Sequence, residues 1–409
     1  MIFIMSIKPM RELHKPGVKM YIRRDITEQI KSGASQIPVL GIIGPRQSGK
    51  STLVKEIFKD HVYLDMQDAE LFDFANKDPK GFLSSYKNEH GLIIDEAQYA
   101  PKLFPQIKVE ADKNPQPGYY ILSGSQNFLL HEKISESLAG RVYFYNLLPL
   151  SIKELTAVNL APQRAEDQIF KGFYPRVYQT QINTQDYYDN YIATYVERDI
   201  RTIKNIDNIL AFKKFMQLCA LRVGTILNFA NLAEICEISV ATAKSWFSLL
   251  EASFILFLMP SYHDNLGKRI TKSPKLYFYD VGLVAALMGA DKDAIVKKRY
   301  IYGPLFENMV IVDLIKNFNA RGMRRNLTFF RDSNQNEIDL IIEIGGKTIP
   351  LEIIASETLD GTFCKTVTWF KKQTNSDQEP IVIYGGDQVQ TRSEGKVVPW
   401  TQLDAICDL

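Results

Sequence analysis

The sequence is poor in the residues that build disulfide frameworks and zinc sites. Among 409 residues there are four cysteines and five histidines. No two cysteines form a C-x-x-C pair, and their wide separation favours reduced thiols over disulfides. No two histidines have the spacing of metal ligands, so the composition argues against a zinc site.

Long apolar segments and a strong net charge are also absent. No stretch approaches the roughly 18 apolar residues of a membrane span. The opening MIFIMSIKPM lacks the apolar core of a signal peptide. We therefore expect a cytoplasmic protein with no membrane partner. The formal net charge of +2 argues against a strongly basic nucleic-acid binder and leaves a local basic patch open.

The length of 409 residues predicts more than one hydrophobic core. Changes in residue pattern divide the chain into four parts. They are an N-terminal extension (1–19), an α/β domain (20–160), a helical region (161–275) and a second α/β domain (276–409).

Five short apolar runs in the first α/β domain indicate buried strands. Helical or irregular segments of roughly 12–25 residues separate them, which is typical of a parallel α/β sheet. The runs are IPVLGII (37–43), VYLD (62–65), LIID (92–95), YYILS (119–123) and VYFYNL (142–147).

The first run leads into GPRQSGKS (44–51), which matches the phosphate-binding pattern G-x-x-x-x-G-K-[ST]. In such a loop, backbone N–H groups and the N-terminus of the following helix bind phosphate oxygens. Lys50 is expected to reach the β- and γ-phosphates of ATP, and Ser51 to bind Mg²⁺. The predicted ATP contacts are Gly44, Pro45, Arg46, Gln47, Ser48, Gly49, Lys50, Ser51 and Thr52.

Two adjacent carboxylates end the third run, LIIDEAQ (92–98). Asp95 is expected to hold Mg²⁺, usually through water, and Glu96 to polarise the attacking water. Such a pair on its own would indicate a solvated turn. The buried strand before it and the upstream phosphate loop favour the functional interpretation.

A serine in the fourth run, ILSGSQ (121–126), is a further candidate. A strand beside the one carrying the two acids places a polar group near the γ-phosphate. Ser125 is the first choice for this polar group, and Ser123 and Gln126 are the next choices. The alternative stays open that the serine has only a structural role, with its hydroxyl hydrogen bonded within its own turn.

Three arginines are candidates for sensing the nucleotide. Arg141 follows the end of a probable helix, and its guanidinium is a candidate arginine finger for the nucleotide of a neighbouring subunit. The alternative is a helix-end cation or a surface salt bridge. Arg176 in GFYPRV and Arg198 in YVERDI are weaker candidates.

Residues 231–258 have the spacing of a helix-turn-helix. Glu237 stands at the turn position that glycine usually fills, and Lys244 is the only cation of the second helix. Lys268 and Arg269 would add charge from a wing. We favour a structural or protein-contacting helix pair over a DNA reader. The predicted crossing and buried positions are Ala233, Ile235, Ile238, Ala243, Phe247 and Leu250.

The C-terminal domain has the predicted order α-β-β-β-α-β, with PIVIYG (380–385) as its last strand. This is the order of a restriction-endonuclease-like core, whose enzymes bind Mg²⁺ with carboxylates and use a lysine to activate water. Glu307, Asp339 and Glu352 are candidate acids, but Ile354 stands where the lysine is expected. We favour an inactive or very weak nuclease-like domain.

A local group of arginines in the same domain has two interpretations. It binds the backbone of a nucleic acid, or it is a solvated surface. The group consists of Arg321, Arg324, Arg325 and Arg331.

Together these motifs resemble the AAA+ ATPases, and among them a prokaryotic family with a helical region and a C-terminal domain of unknown function. The resemblance runs from about residue 20 to 385. It implies a sheet in the order 5-1-4-3-2, a winged helix-turn-helix and oligomerisation. It is carried by GPRQSGKS, LIIDEAQ, ILSGSQ, LAGR followed by LPLSIKEL, GFYPR, YVERDI and YDVGLVAALMG.

These observations predict an Mg²⁺-dependent ATPase that acts as a nucleotide-driven switch or motor. Its partner is DNA or RNA in one interpretation and a protein in the other, and a homo-oligomer is compatible with both. An ATP-dependent nuclease with a degenerate active site is the third alternative.

Overall fold

The computed structural model describes residues 21–125, 137–196, 208–263, 273–323, 326–332, 334, 336–359, 364–374, 378–392 and 395–408. Within these ranges, no helix combines the length and the apolar character needed to cross a membrane. Several predictions lie outside the described residues. They concern the extension 1–19 and the residues Gln126, Arg198, Lys268, Arg269, Arg324 and Arg325.

A five-stranded parallel sheet forms the first α/β unit. Its strands are β1 (Val39–Ile43), β2 (Val62–Asp65), β3 (Leu92–Asp95), β4 (Tyr120–Gly124) and β5 (Val142–Asn146). Their order across the sheet is β2-β3-β4-β1-β5, which is the expected 5-1-4-3-2 read from the other edge. All five predicted strands and their order are therefore confirmed, and the fold is that of a P-loop ATPase.

Helices cover both faces of this sheet, as parallel strands require. On β1, Val39 and Ile43 join one apolar cluster, while Leu40 and Ile42 join another on the opposite face. The covering helices are α1 (Thr27–Ala34), α2 (Lys50–Ile57), α3 (Ala69–Lys77), α4 (Pro79–Ser85) and α5 (Leu103–Lys113), with a 3₁₀ turn at Ala97–Tyr99.

The register of the sheet brings three strand ends together. Ile43 at the end of β1 pairs with Gly124 of β4, and Ile94 of β3 pairs with Leu122 of β4. Because parallel strands end at the same edge, the segments after β1, β3 and β4 converge there.

The middle of the chain is mainly helical. Its helices are α6 (Ile152–Ala157), α7 (Ala165–Lys171), α8 (Pro175–Gln179), α9 (Thr184–Tyr191), α10 (Ile209–Leu221), α11 (Phe229–Cys236) and α12 (Val240–Ala252). A π-helical turn (Ile192–Val196) follows α9. An antiparallel pair, β6 (Leu256–Met259) and β7 (Lys275–Phe278), and helices α13 (Val281–Leu287) and α14 (Lys292–Lys297) complete it.

The predicted helix pair is α11 and α12. Glu237 takes a left-handed conformation between them, with φ of 57°, although its side chain disfavours that region. Ala233, Ala243, Phe247 and Leu250 are buried, whereas Ile235 and Ile238 are only partly buried. The exposed Lys244 lies on α12. The antiparallel pair β6 (Leu256–Met259) and β7 (Lys275–Phe278) follows α12. The winged form stays a prediction, because Lys268 and Arg269 lie outside the described residues.

The C-terminal unit begins with a long helix, α15 (Arg299–Ala320). It continues with β8 (Asn326–Arg331), β9 (Glu337–Ile344), β10 (Lys347–Ile354), α16 (Lys365–Thr374) and β11 (Ile381–Tyr384), in the predicted order. The prediction that this last strand completes the sheet is wrong. Two more strands, β12 (Gln390–Arg392) and β13 (Gly395–Pro399), extend the sheet to β12-β13-β11-β10-β9-β8, and a 3₁₀ segment (Trp400–Asp408) follows.

The two C-terminal strands escaped prediction because their sequences lack the usual signals. β12 is only three residues long and mostly polar, and β13 begins with glycine and ends with proline. Partners in the sheet, rather than local propensity, determine such strands.

One apolar core joins the helical region to the C-terminal sheet. It includes Leu150, Phe215 and Leu276 together with Met309 of α15 and Trp400 near the C-terminus. Strand β7 spans the predicted boundary between residues 275 and 276. The domain boundaries themselves stay predictions.

Candidate functional site

The loop between β1 and α2 requires glycine at two positions. A Cβ atom on Gly44 would lie 2.1 Å from the carbonyl oxygen of Leu147. Gly49 precedes the first residue of α2 with a left-handed φ of 96°. These constraints explain why the phosphate-binding pattern has its two glycines, because a side chain at either position would strain the loop.

Lys50 begins α2 with its side chain buried inside the loop. Its Nζ atom donates to the carbonyl oxygens of Gly44 at 3.0 Å and Pro45 at 2.9 Å. Burial lowers the pKa of Lys50 to about 8, while the carboxylates of Glu96 and Asp95 oppose that shift. The ammonium therefore lies within an arc of loop backbone, in reach of an anion that enters the loop.

Asp95 ends β3 and is 3% exposed. Its Oδ1 atom accepts hydrogen bonds from Ser123 Oγ and from the backbone N–H of Glu96, the latter at 3.1 Å. Its Oδ2 atom accepts one from the hydroxyl of Tyr63 on β2, at 2.5 Å. The carboxylate is thus fixed in orientation from both sides.

Glu96 lies immediately beyond the strand with a left-handed φ of 51°. Its Oε2 atom accepts from Gln98 Nε2 at 2.5 Å and from Ser125 Oγ at 3.2 Å. Ser125 is fully buried and Gln98 nearly so. The structure therefore brings the predicted base and the predicted serine together, and it adds Gln98 as a second donor to the base.

A cavity of about 580 Å³ opens beside these groups. Seven of the nine predicted ATP contacts line it, from Arg46 to Thr52, and Glu96 does so as well. Arg176 of α8 is on the wall, beside Pro175. Residues that the motifs did not indicate complete the lining: Tyr21, Ile22, Arg24, Leu150, Gln179 and Thr180.

Arg24 is the most extensively bonded of these unpredicted residues and is 6% exposed. Its guanidinium donates to the carbonyl oxygens of Ser48 at 2.8 Å and Leu148 at 2.6 Å. It also donates to both carboxylate oxygens of Glu154, each at 3.1 Å. One side chain thus holds the phosphate loop against the segment after β5.

Arg141 lies away from the cavity of its own chain. Its guanidinium donates to the carboxylate of Asp112 and to the carbonyl oxygen of Ala139, at 3.0 Å. This surface ion pair is the alternative considered from the sequence. The contribution of Arg141 to a neighbouring subunit stays a prediction.

The residues around the cavity offer oxygen ligands of the kind that Mg²⁺ prefers, the hydroxyl of Ser51 and the carboxylate of Asp95. Among the described residues, no three His, Cys, Asp or Glu side chains are arranged to hold a metal ion by themselves. Two protein oxygens with phosphate oxygens and water would suffice, because Mg²⁺ in nucleotide sites is held through one or two protein ligands and the substrate phosphates.

The three candidate acids of the C-terminal domain lie around an unpredicted lysine. Lys275 of β7, 1% exposed, contacts Glu307 of α15 at 3.1 Å and Glu337 of β9 at 2.5 Å. Asp339 Oδ2 accepts from the backbone N–H of Ile353 at 2.8 Å. Burial and the neighbouring acids raise the pKa values of Asp339 and Glu352.

Lys275 and Tyr277 both contact an acid of this cluster. Burial lowers the pKa of Lys275, but the carboxylates of Glu307, Asp339 and Glu337 outweigh it, so the net pKa is raised. Tyr277 also donates to Glu307, at 2.5 Å. A buried lysine from another part of the chain therefore lies among these acids, and the described acids form no metal-binding group of three or more.

The local arginines are paired where they are described. Arg321 bonds to the Asp408 carboxylate and, at 3.1 Å, to the carbonyl oxygen of Asp404. Arg331 lies 3.5 Å from Glu337. These contacts agree with the solvated-surface interpretation for the two arginines.

Three protein families match successive parts of the chain. Residues 36–156 match the AAA domain family. Residues 162–294 and 302–403 match two families described as domains of unknown function, DUF8612 and DUF4143. The restriction-endonuclease-like assignment of the C-terminal domain gains no support from this and stays a prediction.

Two relatives are similar over most of the chain. Uncharacterized proteins of Mycobacterium tuberculosis and Mycobacterium bovis are each 28% identical over 341 residues, which cover 82% of this chain and 74% of theirs.

Solved structures resemble the chain more loosely. A Walker-type ATPase of Pyrococcus abyssi has a TM-score of 0.45 at 15% identity, covering 66% of this chain and 96% of its own. The AMPPCP-bound DnaA of Aquifex aeolicus has a TM-score of 0.30 at 16% identity, covering 55% and 85%. These likenesses carry no argument about function.

The family match and the geometry agree on the first domain. The AAA match covers the segment that contains the phosphate loop, Asp95 and Glu96. The parallel sheet has the strand order of P-loop ATPases. Residues 36–156 therefore match the AAA domain family and have the fold of a P-loop ATPase.

Proposed function

We propose that this chain is an Mg²⁺-dependent ATPase that works as a nucleotide-driven switch. One observation carries the proposal: Lys50, Ser51 and Glu96 line one cavity, and Asp95 lies behind it with its carboxylate fixed. A phosphate-binding cation, two oxygen ligands and a base are the parts that phosphoryl transfer to water needs.

Each residue has a separate task in the proposed reaction. The loop N–H groups and Lys50 bind the β- and γ-phosphates. Ser51 and Asp95 would hold Mg²⁺, which when bound would neutralise charge on the phosphates. Glu96 orients a water molecule and takes its proton as the water oxygen bonds to the γ-phosphorus. The bond from that phosphorus to the bridging oxygen breaks, and ADP leaves with that oxygen.

Ser125 and Gln98 orient the base. Both donate to Oε2 of Glu96, so the other oxygen, Oε1, is the one that we assign to the water. Arg176 would add positive charge at the wall of the cavity. Arg141 would act on the nucleotide of a neighbouring subunit only in an oligomer.

A chain of buried contacts supports the switch. Arg24 bonds to Ser48 in the phosphate loop and to Leu148 and Glu154 beyond β5. Within that same segment, the backbone N–H of Ile152 donates to Asp313 of α15, at 2.8 Å. A displacement of the loop by nucleotide would therefore reach the first helix of the C-terminal unit.

Lys316, one turn further along α15, makes the second contact. Its Nζ atom donates to the carbonyl oxygen of Leu150 at 2.8 Å and lies 3.7 Å from the ring centroid of Phe173. Because α15 is bonded to the segment after β5 through both Asp313 and Lys316, the helix would move together with that segment. We infer that ATP binding and hydrolysis change how the helical and C-terminal regions contact a partner.

We favour a protein as that partner. On α12, the second helix of the helix-turn-helix pair, the exposed cation is Lys244, and one lysine adds little affinity for a nucleic-acid backbone. DNA or RNA is the alternative partner, and a degenerate ATP-dependent nuclease is the weaker one. The nuclease alternative would use Asp339 and Glu352. It predicts plasmid cleavage by the wild type that Asp339→Ala abolishes.

Nucleotide binding by the purified chain and by Lys50→Ala tests the proposal. The variant should lose nucleotide affinity by at least about 100-fold, because its ammonium is the phosphate ligand. Lys77→Ala, which alters an exposed lysine of α3 paired with Asp73, is the matched control and should bind like the wild type. Unchanged affinity in Lys50→Ala would remove the site assignment.

Steady-state ATP hydrolysis with and without single- and double-stranded DNA separates the partner classes. Stimulation by DNA that weakens with salt would favour the nucleic-acid partner. Slow turnover that is indifferent to DNA would favour the protein partner.

A further inference from the structure

Tyr63 contacts one of the two side chains that we assign to Mg²⁺. It lies on β2, and Asp65 of that strand pairs with Asp95 of β3. Its hydroxyl donates to Oδ2 of Asp95 at 2.5 Å. A phenol from the neighbouring strand thus holds the carboxylate.

The ring of Tyr63 is itself held in place. Its side chain is half-buried in the described structure, and the ammonium of Lys55 lies 3.5 Å from the ring centroid. A cation at that distance is attracted to the aromatic face. The hydroxyl therefore projects from a ring whose position is set by the strand and by Lys55.

The hydrogen bonds around Asp95 leave little freedom to its carboxylate. Oδ1 is held by Ser123 and by the backbone of Glu96, and Tyr63 alone among the described donors is bonded to Oδ2. A phenol has one proton to donate. Tyr63 donates it to Asp95, which fixes the orientation of the carboxylate that we assign to Mg²⁺.

We propose that Tyr63 is a positioning residue for the magnesium ion, in that its hydroxyl holds the Asp95 carboxylate in the orientation that a bound ion requires. The inference rests on the proposed ATPase function. Groups that orient the ligands of a metal contribute to its affinity without touching it, and their loss costs about 10- to 100-fold.

Tyr63→Phe tests this role because it removes one oxygen atom and retains the ring. Tyr119→Phe is the matched control. Tyr119 lies in the same domain, and its hydroxyl donates to the carbonyl oxygen of Asn88, at 3.0 Å, away from the site. Both variants should keep the fold, which thermal unfolding and circular dichroism would verify.

The first measurement is Mn²⁺ affinity in the presence of a non-hydrolysable ATP analogue, followed by the electron paramagnetic resonance of free Mn²⁺. Tyr63→Phe should bind Mn²⁺ about 10- to 100-fold more weakly than the wild type, while Tyr119→Phe should not differ. The affinity for the analogue in EDTA should be the same in all three proteins, because Tyr63 is not a phosphate ligand.

A double mutant shows whether Tyr63 acts through Asp95. In an Asp95→Ala background, adding Tyr63→Phe should have a much smaller effect on Mn²⁺ affinity than it has in the wild type, because the acceptor is already gone. An equal effect in both backgrounds overturns the proposed route.

The outcomes separate this inference from the proposed function. If the wild type binds Mn²⁺ and the analogue, and Tyr63→Phe binds each of them as tightly as the wild type does, the role of Tyr63 is overturned and the ATPase assignment stands. If wild type binds no nucleotide, or Lys50→Ala binds as tightly as wild type, both are overturned. A loss of analogue affinity in EDTA equal to the loss of Mn²⁺ affinity also overturns the inference.

Discussion

Two groups of carboxylates in this chain each lie near a buried lysine, and the pKa values of the two lysines are shifted in opposite directions. Lys50 donates to two loop carbonyls, and burial lowers its pKa to about 8 despite the nearby acids. Lys275 lies in direct contact with Glu307 and Glu337, and those acids raise its pKa despite burial.

The two lysines differ in how much of the ammonium charge is already compensated by contacting carboxylates. An ammonium that faces carbonyl dipoles gains from an incoming phosphate. An ammonium in contact with two carboxylates gains far less, because its charge is already compensated. The same residue types therefore provide a ligand site near the first sheet and an internal ion-pair network near the last one. The presence of acids and a lysine does not distinguish the two cases.

The largest effect that separates the two groups should come from removing the proposed base. Glu96→Gln should lower ATP turnover by about 10²–10⁴-fold, because the amide cannot accept a proton from water. Nucleotide affinity should be retained, since Glu96 is not a phosphate ligand. Glu110→Gln, a surface acid paired with Lys113 in the same domain, is the control for turnover. Full turnover in Glu96→Gln would mean that another group is the base.

The next largest effect should come from the lysine of the C-terminal cluster. Lys275→Met leaves buried carboxylates without their cation and should lower the free energy of unfolding by about 3–5 kcal/mol. Nucleotide affinity should not change. Urea denaturation of the variant and of Lys297→Met, a surface pair with Asp293, provides the measurement and its control.

One result would break the comparison. If Mg²⁺ without nucleotide stabilises the wild type, and Asp339→Ala abolishes that gain, the C-terminal acids bind the ion and are not merely balanced by Lys275. Thermal unfolding at several Mg²⁺ concentrations would reveal it.

A smaller effect should follow from neutralising one acid of the cluster. The pKa of Glu352 is raised by burial and by Asp339 and Glu307, so the folded state keeps a proton that the unfolded state releases as pH rises. Stability is therefore lost with rising pH, and Glu352→Gln avoids that loss. At pH 8 the variant should be more stable than wild type by about 2 kcal/mol. This is less than half of the roughly 5 kcal/mol that 1.4 kcal/mol per pH unit would give between the ordinary pKa of 4.5 and pH 8.

The pH dependence identifies the cause. The stability difference between Glu352→Gln and wild type should shrink as the pH falls toward 5, where both states hold the proton more equally. Glu357→Gln, which alters an exposed acid just beyond the same strand, should leave the pH profile of stability unchanged. A difference that is constant from pH 5 to pH 8 would exclude the titration of Glu352 as its source.

The parts that could be predicted from the sequence are those with local signals. Buried parallel strands appear as short apolar runs, so β1 to β5 could be predicted. The phosphate loop is contiguous, and seven of its nine predicted contacts line one cavity. Asp95 ends a strand and Glu96 follows it, and the sheet brings them to the loop.

The parts that could not be predicted depend on contacts between distant segments. Tyr63 is a strand residue with nothing unusual around it, and only the register of β2 and β3 brings it to Asp95. Arg24 lies twenty positions before the start of the loop and contacts Glu154 far downstream. Lys275 stands outside the predicted nuclease-like motif. At Glu237 the local signal is unfavourable and the predicted turn forms nonetheless, since residues of α11 and α12 pack in one apolar core.

The position of Arg24 also dictates an order of assembly during synthesis. Its partners in the loop follow at residue 48, but Leu148 and Glu154 leave the ribosome about a hundred residues later, and Asp313 and Lys316 of α15 later still. At about 5–20 residues per second, the last interval takes on the order of 10–30 s. A newly made chain therefore has its phosphate loop clamped well before the helix that would respond to the nucleotide exists.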